Sequence, residues 1–209
     1  ENDYLMKLFE YLNSKIEKND FQKKDYCLLT NFSFSKEISL SDSQIHLSYI
    51  PETIMSEINN YIRSNKKFNN IILNYFKTNY RIVNVRIWRY LSNKKKLLKT
   101  EVNYHYDHFP HNTLKIMAYN GKFSKGNSAI DFGSAINNEV EHCIKGKNPV
   151  FIFDSNHLYH KADFPLNDRD TIEIVIQPTI LKTNPLYGGY CAGHPINPFQ
   201  DHKKLNLNN

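Results

Sequence analysis

The segment NYHYDHFPH (residues 103–111) holds the residues whose types and spacing point most directly to chemistry. His105 and Asp107 stand two positions apart, so on an extended chain their side chains point to the same side and converge. An imidazole and a carboxylate that meet in this way are two of the ligands that a divalent metal ion needs. Nine histidines in 209 residues make such a pair common by chance, so the motif requires a third ligand elsewhere.

The segment NPVFIFDSNHLYHKADFP (residues 148–165) offers that third ligand. A strongly apolar strand pattern ends at Asp154, and two histidines, His157 and His160, follow. An antiparallel barrel places strands that are distant in sequence side by side, so either histidine can reach the first pair. Two imidazoles and one carboxylate on one face of an ion, with open positions opposite, suit non-haem Fe(II).

The elements that must position these residues divide the chain near residue 80. Apolar residues recur at helical spacing before that point: Leu5, Leu8, Phe9, Leu12 and Ile16 in one segment, and Ile54, Ile58 and Ile62 in another. The run NNIILNYFKTNY is compatible with a helix end or with a strand. The sequence therefore predicts helical support over residues 1–80.

From residue 81 the pattern changes to short segments rich in β-branched and aromatic residues: RIVNVRIWRYL, TEVNYHYD, TLKIMAYN, SAIDFGS, NPVFIFDSN and DTIEIVIQP. No helical pattern long enough for a crossover lies between them. We therefore predict an α+β protein, an antiparallel barrel or jelly roll over residues 81–180, flanked by the N-terminal helices. Residues 181–209 read as an irregular tail, and the length fits one domain, 1–209.

Composition narrows the function classes. Three cysteines without CxxC spacing argue against a disulfide framework and a zinc ribbon, and favour a reducing, cytoplasmic location. No apolar run approaches the roughly 20 residues that span a bilayer. The net charge of +6 reads mainly as a Lys-, Asn- and Ile-rich composition, so nucleic acid is not the expected partner.

The order of the two ligand segments and RDTIEIVIQPT resembles the Fe(II)/2-oxoglutarate-dependent oxygenases, and within them the phytanoyl-CoA dioxygenase-like branch, over residues 80–180. The family pattern is HxD, a distal histidine after an FDS-type strand end, and an arginine about ten residues later. The resemblance implies a double-stranded β-helix, of the jelly-roll or cupin-like type, with Fe(II) held by His105, Asp107 and His160. It implies that Arg169 binds 2-oxoglutarate, and that the chain uses O2 to hydroxylate a substrate while releasing succinate and CO2.

The distal histidine is interpreted as His160 rather than His157. His160 is followed by KADFPLNDR, which matches the family's run before the arginine, and it leaves nine positions to Arg169. His157 would leave twelve. One departure concerns the turn between the ligand segments, where Gly133-Ser134 lacks the histidine that family members often carry, and this weakens assignment to the acyl-CoA subgroup.

Further candidates border these segments. Lys115 and Tyr119 share one side of the TLKIMAYN strand and, if that side faces the interior, can contact the carboxylate of 2-oxoglutarate; an outward, solvated Lys115 is the alternative. Residues predicted as substrate contacts are Trp88, Tyr104, His108, His111 and His157. Packing for the tryptophan and simple exposure for the loop histidines are the competing interpretations.

Three rival functions share parts of this pattern. NYHYDH approaches the HxHxDH of metallo-β-lactamase-like hydrolases, but Asn103 replaces the first histidine and Phe109-Pro110 replaces the expected glycines. A nucleic-acid demethylase would place a second arginine at the position of Val175. The third rival is a non-catalytic jelly-roll ligand-binding protein. The sequence favours a small-molecule substrate, a carbohydrate-like or anionic metabolite, and leaves the oligomeric state open.

Overall fold

The computed structural model describes residues 3–18, 21–23, 38–40, 44–47, 50, 52–92, 103–107, 109, 112–124, 129–136, 139–162 and 165–180. The described helices are α1 (Asp3–Glu17), α2 (Glu52–Ser64) and α3 (Lys66–Phe76). The described strands are β1 (Phe21–Lys23), β2 (Ile38–Leu40), β3 (Gln44–Leu47), β4 (Asn79–Tyr90), β5 (Leu114–Asn120), β6 (Lys122–Phe123), β7 (Asp131–Gly133), β8 (Val140–Cys143), β9 (Gly146–Lys147), β10 (Val150–Asp154), β11 (His160–Lys161) and β12 (Arg169–Thr179). None of these helices is long and apolar enough to cross a membrane.

The helices form where apolar residues recur every three or four positions, as the sequence predicts. The buried residues are Leu5, Leu8, Phe9 and Leu12 in α1, and Met55, Ile58 and Ile62 in α2. The Asn65 side chain begins α3 by accepting backbone N–H bonds from Lys67 and Phe68 at 3.1 and 3.2 Å. The run NNIILNYFKTNY, for which the sequence leaves two readings, is therefore helix up to Phe76 and strand from Asn79.

A seven-stranded sheet in the order β1-β2-β3-β4-β12-β5-β10 forms the centre of the described structure. The long strands β4 and β12 pair antiparallel, with Arg169 opposite Tyr90 at one end and Thr179 opposite Asn79 at the other. The strand β5 pairs antiparallel with the other edge of β12. Strand β12, the last described strand, therefore lies between β4 and β5, which come from earlier in the chain.

The two faces of this sheet meet different layers. One face packs on the helices through an aliphatic core that includes Val85, Ile87, Ile116, Ile172 and Ile174. The other face meets a second cluster with aromatic members: Trp88, Tyr90, Met117, Tyr119, Phe123, Ala129, Ile130 and Phe153. The small sheets β11-β7-β8 and β6-β9 lie beside this second cluster.

Mixed helix and antiparallel sheet agree with the predicted α+β class, and two local differences are informative. The short strands β1, β2 and β3 lie within the stretch for which helical patterns dominate the sequence, and β1 pairs with β2 in parallel. The TEVNYHYD run does not form a regular strand over residues 103–107, where His105 makes an isolated bridge instead. The predicted tail, 181–209, lies outside the described residues.

Candidate metal centre

The first ligand segment is held by backbone hydrogen bonds rather than by a continuous strand. The His105 N–H donates to the His160 carbonyl oxygen at 2.8 Å, and the His160 N–H donates to the His105 carbonyl oxygen at 3.0 Å. Two residues on, the Asp107 N–H donates to the Ser155 carbonyl oxygen at 2.9 Å. The two histidines therefore lie directly opposite each other, with Asp107 on the same side as His105.

The two tyrosines that flank His105 face the other way. Tyr104 stacks on Tyr159 with ring centroids 5.2 Å apart, and Tyr106 lies 5.0 Å from the same ring. A Cβ atom at Gly133 would lie 2.6 Å from the Tyr104 ring, so glycine is needed at that position. These aromatic contacts fix which side of the segment carries His105 and Asp107.

The second ligand segment is a turn organised by Asp154, the last residue of β10. Its carboxylate accepts backbone N–H bonds from Asn156 at 3.0 Å and His157 at 3.2 Å, and it also accepts the Tyr75 hydroxyl from α3. The Asn156 side chain then bonds both backbone groups of Phe109, at 3.2 and 3.3 Å. The turn that precedes His160 is thereby tied to the loop that follows Asp107.

The three side chains converge on one point. One candidate ligand atom from each of His105, Asp107 and His160 lies within 4.8 Å of the others. The Nε2 atoms of His105 and His160 are each 3.9 Å from a different oxygen of Asp107. Their rings have centroids 4.5 Å apart.

Both imidazoles present Nε2 to the common point. His105 Nδ1 lies 2.9 Å from the Asn103 carbonyl oxygen, and His160 Nδ1 lies 2.7 Å from the Leu158 carbonyl oxygen. A carbonyl oxygen can only accept, so each Nδ1 carries the hydrogen and each Nε2 of a neutral ring keeps its lone pair. Burial lowers the pKa of His160 to about 4, so this ring is neutral near pH 7.

The donor set fits a single transition-metal ion. Imidazole nitrogen and carboxylate oxygen bind such ions at about 2.0–2.2 Å, so two donors to one ion are at most about 4.4 Å apart. The 3.9 Å separations lie inside that limit. Two imidazoles and one carboxylate are the set that suits Fe(II) with open coordination positions.

The three ligands line a cavity of about 240 Å³. The other lining residues come largely from the sheet face opposite the helices: Arg86, Trp88, Tyr90, Lys115, Met117, Tyr119, Ile130, Phe153, Ala162, Arg169, Thr171 and Glu173. Arg169 is 3% exposed, and its guanidinium lies 5.1 Å from the Tyr90 ring and 5.5 Å from the Tyr119 ring. The cavity thus combines a metal-ligand group with a buried cation held on aromatic faces.

Charged side chains on three neighbouring strands form a chain of ion pairs that ends at Asp107. Arg86 on β4 binds Glu173 on β12 through two bonds of 2.7 Å. Lys115 Nζ on β5 lies 3.0 Å from Glu173 and 2.5 Å from Asp107 Oδ2. Burial would raise the pKa of Glu173, but the charges of Arg86 and Lys115 outweigh it and lower that pKa to about 2.

The cavity contains most of the residues that the sequence singles out. Lys115, Tyr119, Trp88 and Arg169 all line it together with the predicted metal ligands. Among the described lining residues, neither Tyr104 nor His157 is found: the tyrosine stacks on Tyr159, and the His157 ring is 69% exposed beside Asp154. His108 and His111 lie outside the described residues.

The cavity lining also includes Arg86 and Tyr90, which alternate with Trp88 on β4, and Thr171 and Glu173, to which sequence reasoning assigns no site role. The available signal is alternation: on β12, Thr171 and Glu173 alternate with the buried Ile172 and Ile174, and polar residues at every second position of an apolar strand mark a polar face.

Comparisons with known proteins give structural likeness only. No protein-family model and no curated protein sequence matches this chain. The structure of HygX from Streptomyces hygroscopicus with nickel, 2-oxoglutarate and hygromycin B bound is similar with a TM-score of 0.47 and 10% identity, over 88% of this chain and 87% of HygX. HygX with iron bound is similar as well, with a TM-score of 0.45 and 10% identity, over 88% of this chain and 86% of that one.

A 2OG-Fe(II) oxygenase family oxidoreductase from Burkholderia pseudomallei gives a TM-score of 0.46 and 12% identity, over 72% of this chain and 73% of that one. The viral collagen prolyl hydroxylase vCPH from Paramecium Bursaria Chlorella virus-1, in its 2OG complex, gives a TM-score of 0.42 and 16% identity, over 66% of this chain and 80% of that one. At these identities and TM-scores, the likeness assigns neither a family nor an activity to this chain.

Proposed function

We propose that this chain is an Fe(II)- and 2-oxoglutarate-dependent oxygenase that hydroxylates a small molecule. The observation that supports this most strongly is that one cavity is lined both by the His105, Asp107 and His160 group and by the buried Arg169. A metal-ligand group alone fits many reactions. A buried guanidinium in the same cavity adds a specific site for a carboxylate.

In this proposal the three ligands hold Fe(II) through the two Nε2 atoms and the Asp107 carboxylate. With 2-oxoglutarate bound, the iron supplies oxidative decarboxylation of the keto acid to succinate and CO2, and activates O2 for hydroxylation of a substrate carbon. The chain itself orients both imidazoles, because the Asn103 and Leu158 carbonyl oxygens accept the Nδ1 hydrogens and leave each Nε2 directed at the common point.

Arg169 and Thr171 are proposed to bind the distal carboxylate of 2-oxoglutarate. They stand on the same side of β12, and the Thr171 hydroxyl oxygen is buried without a hydrogen-bond partner in the described part of the chain. A carboxylate beside the guanidinium would accept this hydroxyl hydrogen and so satisfy a buried polar group. The rings of Tyr90 and Tyr119 pack against the guanidinium of Arg169 and exclude water from it.

Finer assignments follow from the sequence pattern and belong to the same proposal. They are a single-domain, double-stranded β-helix architecture, membership of the phytanoyl-CoA dioxygenase-like branch, and a cytoplasmic location. The mixture of Trp88, Arg86 and Tyr90 in the cavity lining favours a polar or anionic metabolite over a long acyl chain.

The test is an anaerobic titration of metal-free protein with Fe(II) and then with 2-oxoglutarate, following the weak visible charge-transfer band of the Fe(II)–keto-acid chelate. We expect one Fe(II) per chain and the band on adding 2-oxoglutarate. Asp107→Ala should lose both, whereas Asp131→Ala, which removes another buried aspartate on β7, should keep both. Fe(II) binding without the band would favour the ligand-binding protein, and binding of two metal ions per chain would favour the hydrolase.

A further inference from the structure

Lys115 occupies an unusual place for a lysine, because its ammonium is buried against one of the proposed metal ligands. The side chain is 8% exposed, and Nζ lies 2.5 Å from Asp107 Oδ2. This oxygen is the one that faces His160, while Oδ1 faces His105. A positive charge therefore already neutralises the carboxylate that a divalent ion would use.

The ammonium is held in this place by a second carboxylate. Glu173, with a side chain 4% exposed, lies 3.0 Å from Lys115 Nζ and also accepts hydrogen bonds from Nε and Nη2 of Arg86. Burying an ammonium costs much free energy unless opposite charges and hydrogen bonds accompany it. The negative charge of Glu173 thus offsets the positive charge of Lys115, and the two bonds from Arg86 fix the orientation of the Glu173 carboxylate.

We propose that Lys115, anchored by Glu173, is a positioning residue that orders Asp107 before metal arrives and lowers the affinity of the site for a divalent cation. This inference rests on the proposed function, since it concerns the same metal ligands. The ordering follows from the short Lys115–Asp107 contact, which restrains one oxygen of the carboxylate. The lowered affinity follows from repulsion between a fixed ammonium and an ion that share one carboxylate in a buried site.

Two opposing effects decide whether Lys115 strengthens or weakens metal binding. Restraining one carboxylate favours binding by less than roughly tenfold, the cost of fixing one flexible side chain. Repulsion between charges that approach the same carboxylate in a poorly solvated cavity disfavours binding by more than that. Removing the lysine charge should therefore tighten metal binding, although it removes a contact to a ligand.

The experiment compares Fe(II) affinities of metal-free proteins by anaerobic calorimetric titration. Lys115→Met should bind Fe(II) roughly tenfold more tightly or better, and Glu173→Gln, which leaves the lysine charge without its offset, should bind roughly tenfold more weakly. Lys115→Met/Glu173→Gln should fall between the two single variants. The control, Lys122→Met, removes an exposed lysine on β6 and should match wild type.

A merely structural role predicts a different pattern, in which every cavity variant weakens binding because the site is disordered. Weaker or unchanged affinity in Lys115→Met would overturn the inference, provided its circular dichroism spectrum matches wild type. If Lys115→Met does not fold, Lys115→Gln, which removes the charge and keeps a polar group, decides by the same criterion: tighter binding supports the inference, and unchanged or weaker binding overturns it. If the wild-type protein binds no Fe(II), the proposed function is contradicted as well. If the wild type binds Fe(II) but the variants do not show the expected affinities, only this inference is contradicted.

Discussion

The two faces of the sheet formed by β4, β12 and β5 differ by a single residue step along each strand. On β12, Ile172 and Ile174 face the helices, and Arg169, Thr171 and Glu173 face the cavity. Burial does not separate the two faces, since Ile174 is 0% and Glu173 is 3% exposed. The difference teaches that charged side chains facing a cavity, rather than burial itself, distinguish a site from a core in this molecule.

The same difference assigns different free-energy roles to the two faces. Aliphatic burial on the helix-facing side contributes directly to the free energy of unfolding. Ion pairs on the cavity-facing side contribute little net stability, because desolvation offsets most of their attraction. We therefore expect substitutions on the first face to change stability alone. Substitutions on the second face should change ligand binding, with an added loss of stability where a buried charge is left unpaired.

The largest expected effect tests the helix-facing side. Ile174→Ala should lower the free energy of unfolding by about 2–5 kcal/mol, because it leaves a cavity in a fully packed layer. Denaturant unfolding measures this loss, and titration of the folded variant should give wild-type affinity for Fe(II). Weakened metal binding in a fully folded Ile174→Ala protein would show that the two faces are not independent.

The next effect tests the cavity-facing side with a pair of arginines. Arg169→Gln should weaken 2-oxoglutarate binding roughly 100-fold, about 3 kcal/mol, because a buried carboxylate loses its charged partner. Arg89→Gln is the matched control, since Arg89 bonds Asp170 at 2.6 and 2.9 Å on the helix-facing side and also contacts Asn13 of α1. Arg89→Gln should lower the free energy of unfolding and leave 2-oxoglutarate affinity unchanged. If Arg89→Gln instead weakens 2-oxoglutarate binding and Arg169→Gln does not, the assignment of the binding site to the cavity-facing side is wrong.

The smallest effect uses pH, which acts on the cavity through His160. The folded chain has a His160 pKa of about 4 against 6.5 for the ordinary group, because burial disfavours the charged ring. Between these values the unfolded chain binds a proton that the folded chain does not, so lowering the pH favours unfolding. From pH 6.5 to 5 the metal-free protein should lose about 2 kcal/mol through this group.

Denaturant unfolding of metal-free wild type and His160→Gln at both pH values measures this contribution. The variant should show a shallower fall in stability over this range, because it has no imidazole to protonate on unfolding. Equal slopes for the two proteins would contradict a neutral, buried His160.

Local spacing was sufficient to predict several of these features. The two-residue step from His105 to Asp107 predicts a shared side, and three- and four-residue steps predict α1 and α2. The choice of His160 over His157 rests on sequence pattern, and in the structure the His160 ring belongs to the converging group. These features depend on neighbours close in sequence, where the geometry of one element decides the outcome.

Contacts between distant strands were not predictable in the same way. Arg86, Lys115 and Glu173 meet because β12 inserts between β4 and β5, and this strand order is not written in any one segment. The sequence leaves Lys115 either inward or solvated, and only the neighbouring strands decide that it turns inward. The ligand segment itself shows the limit of propensity, since a strand-like composition gives a single bridge at His105.

The backbone bridge between His105 and His160 also bears on how chain length can vary. Because the two residues pair directly, the facing of their rings does not depend on the length of connections outside the two paired segments. A residue inserted between β8 and β9 leaves the pairing intact, whereas one inserted between Asp154 and His160 disrupts the turn that the Asp154 carboxylate organises through Asn156 and His157. Insertions and deletions in related chains should therefore accumulate between β8 and β9, while the turn from Asp154 to His160 keeps a fixed length.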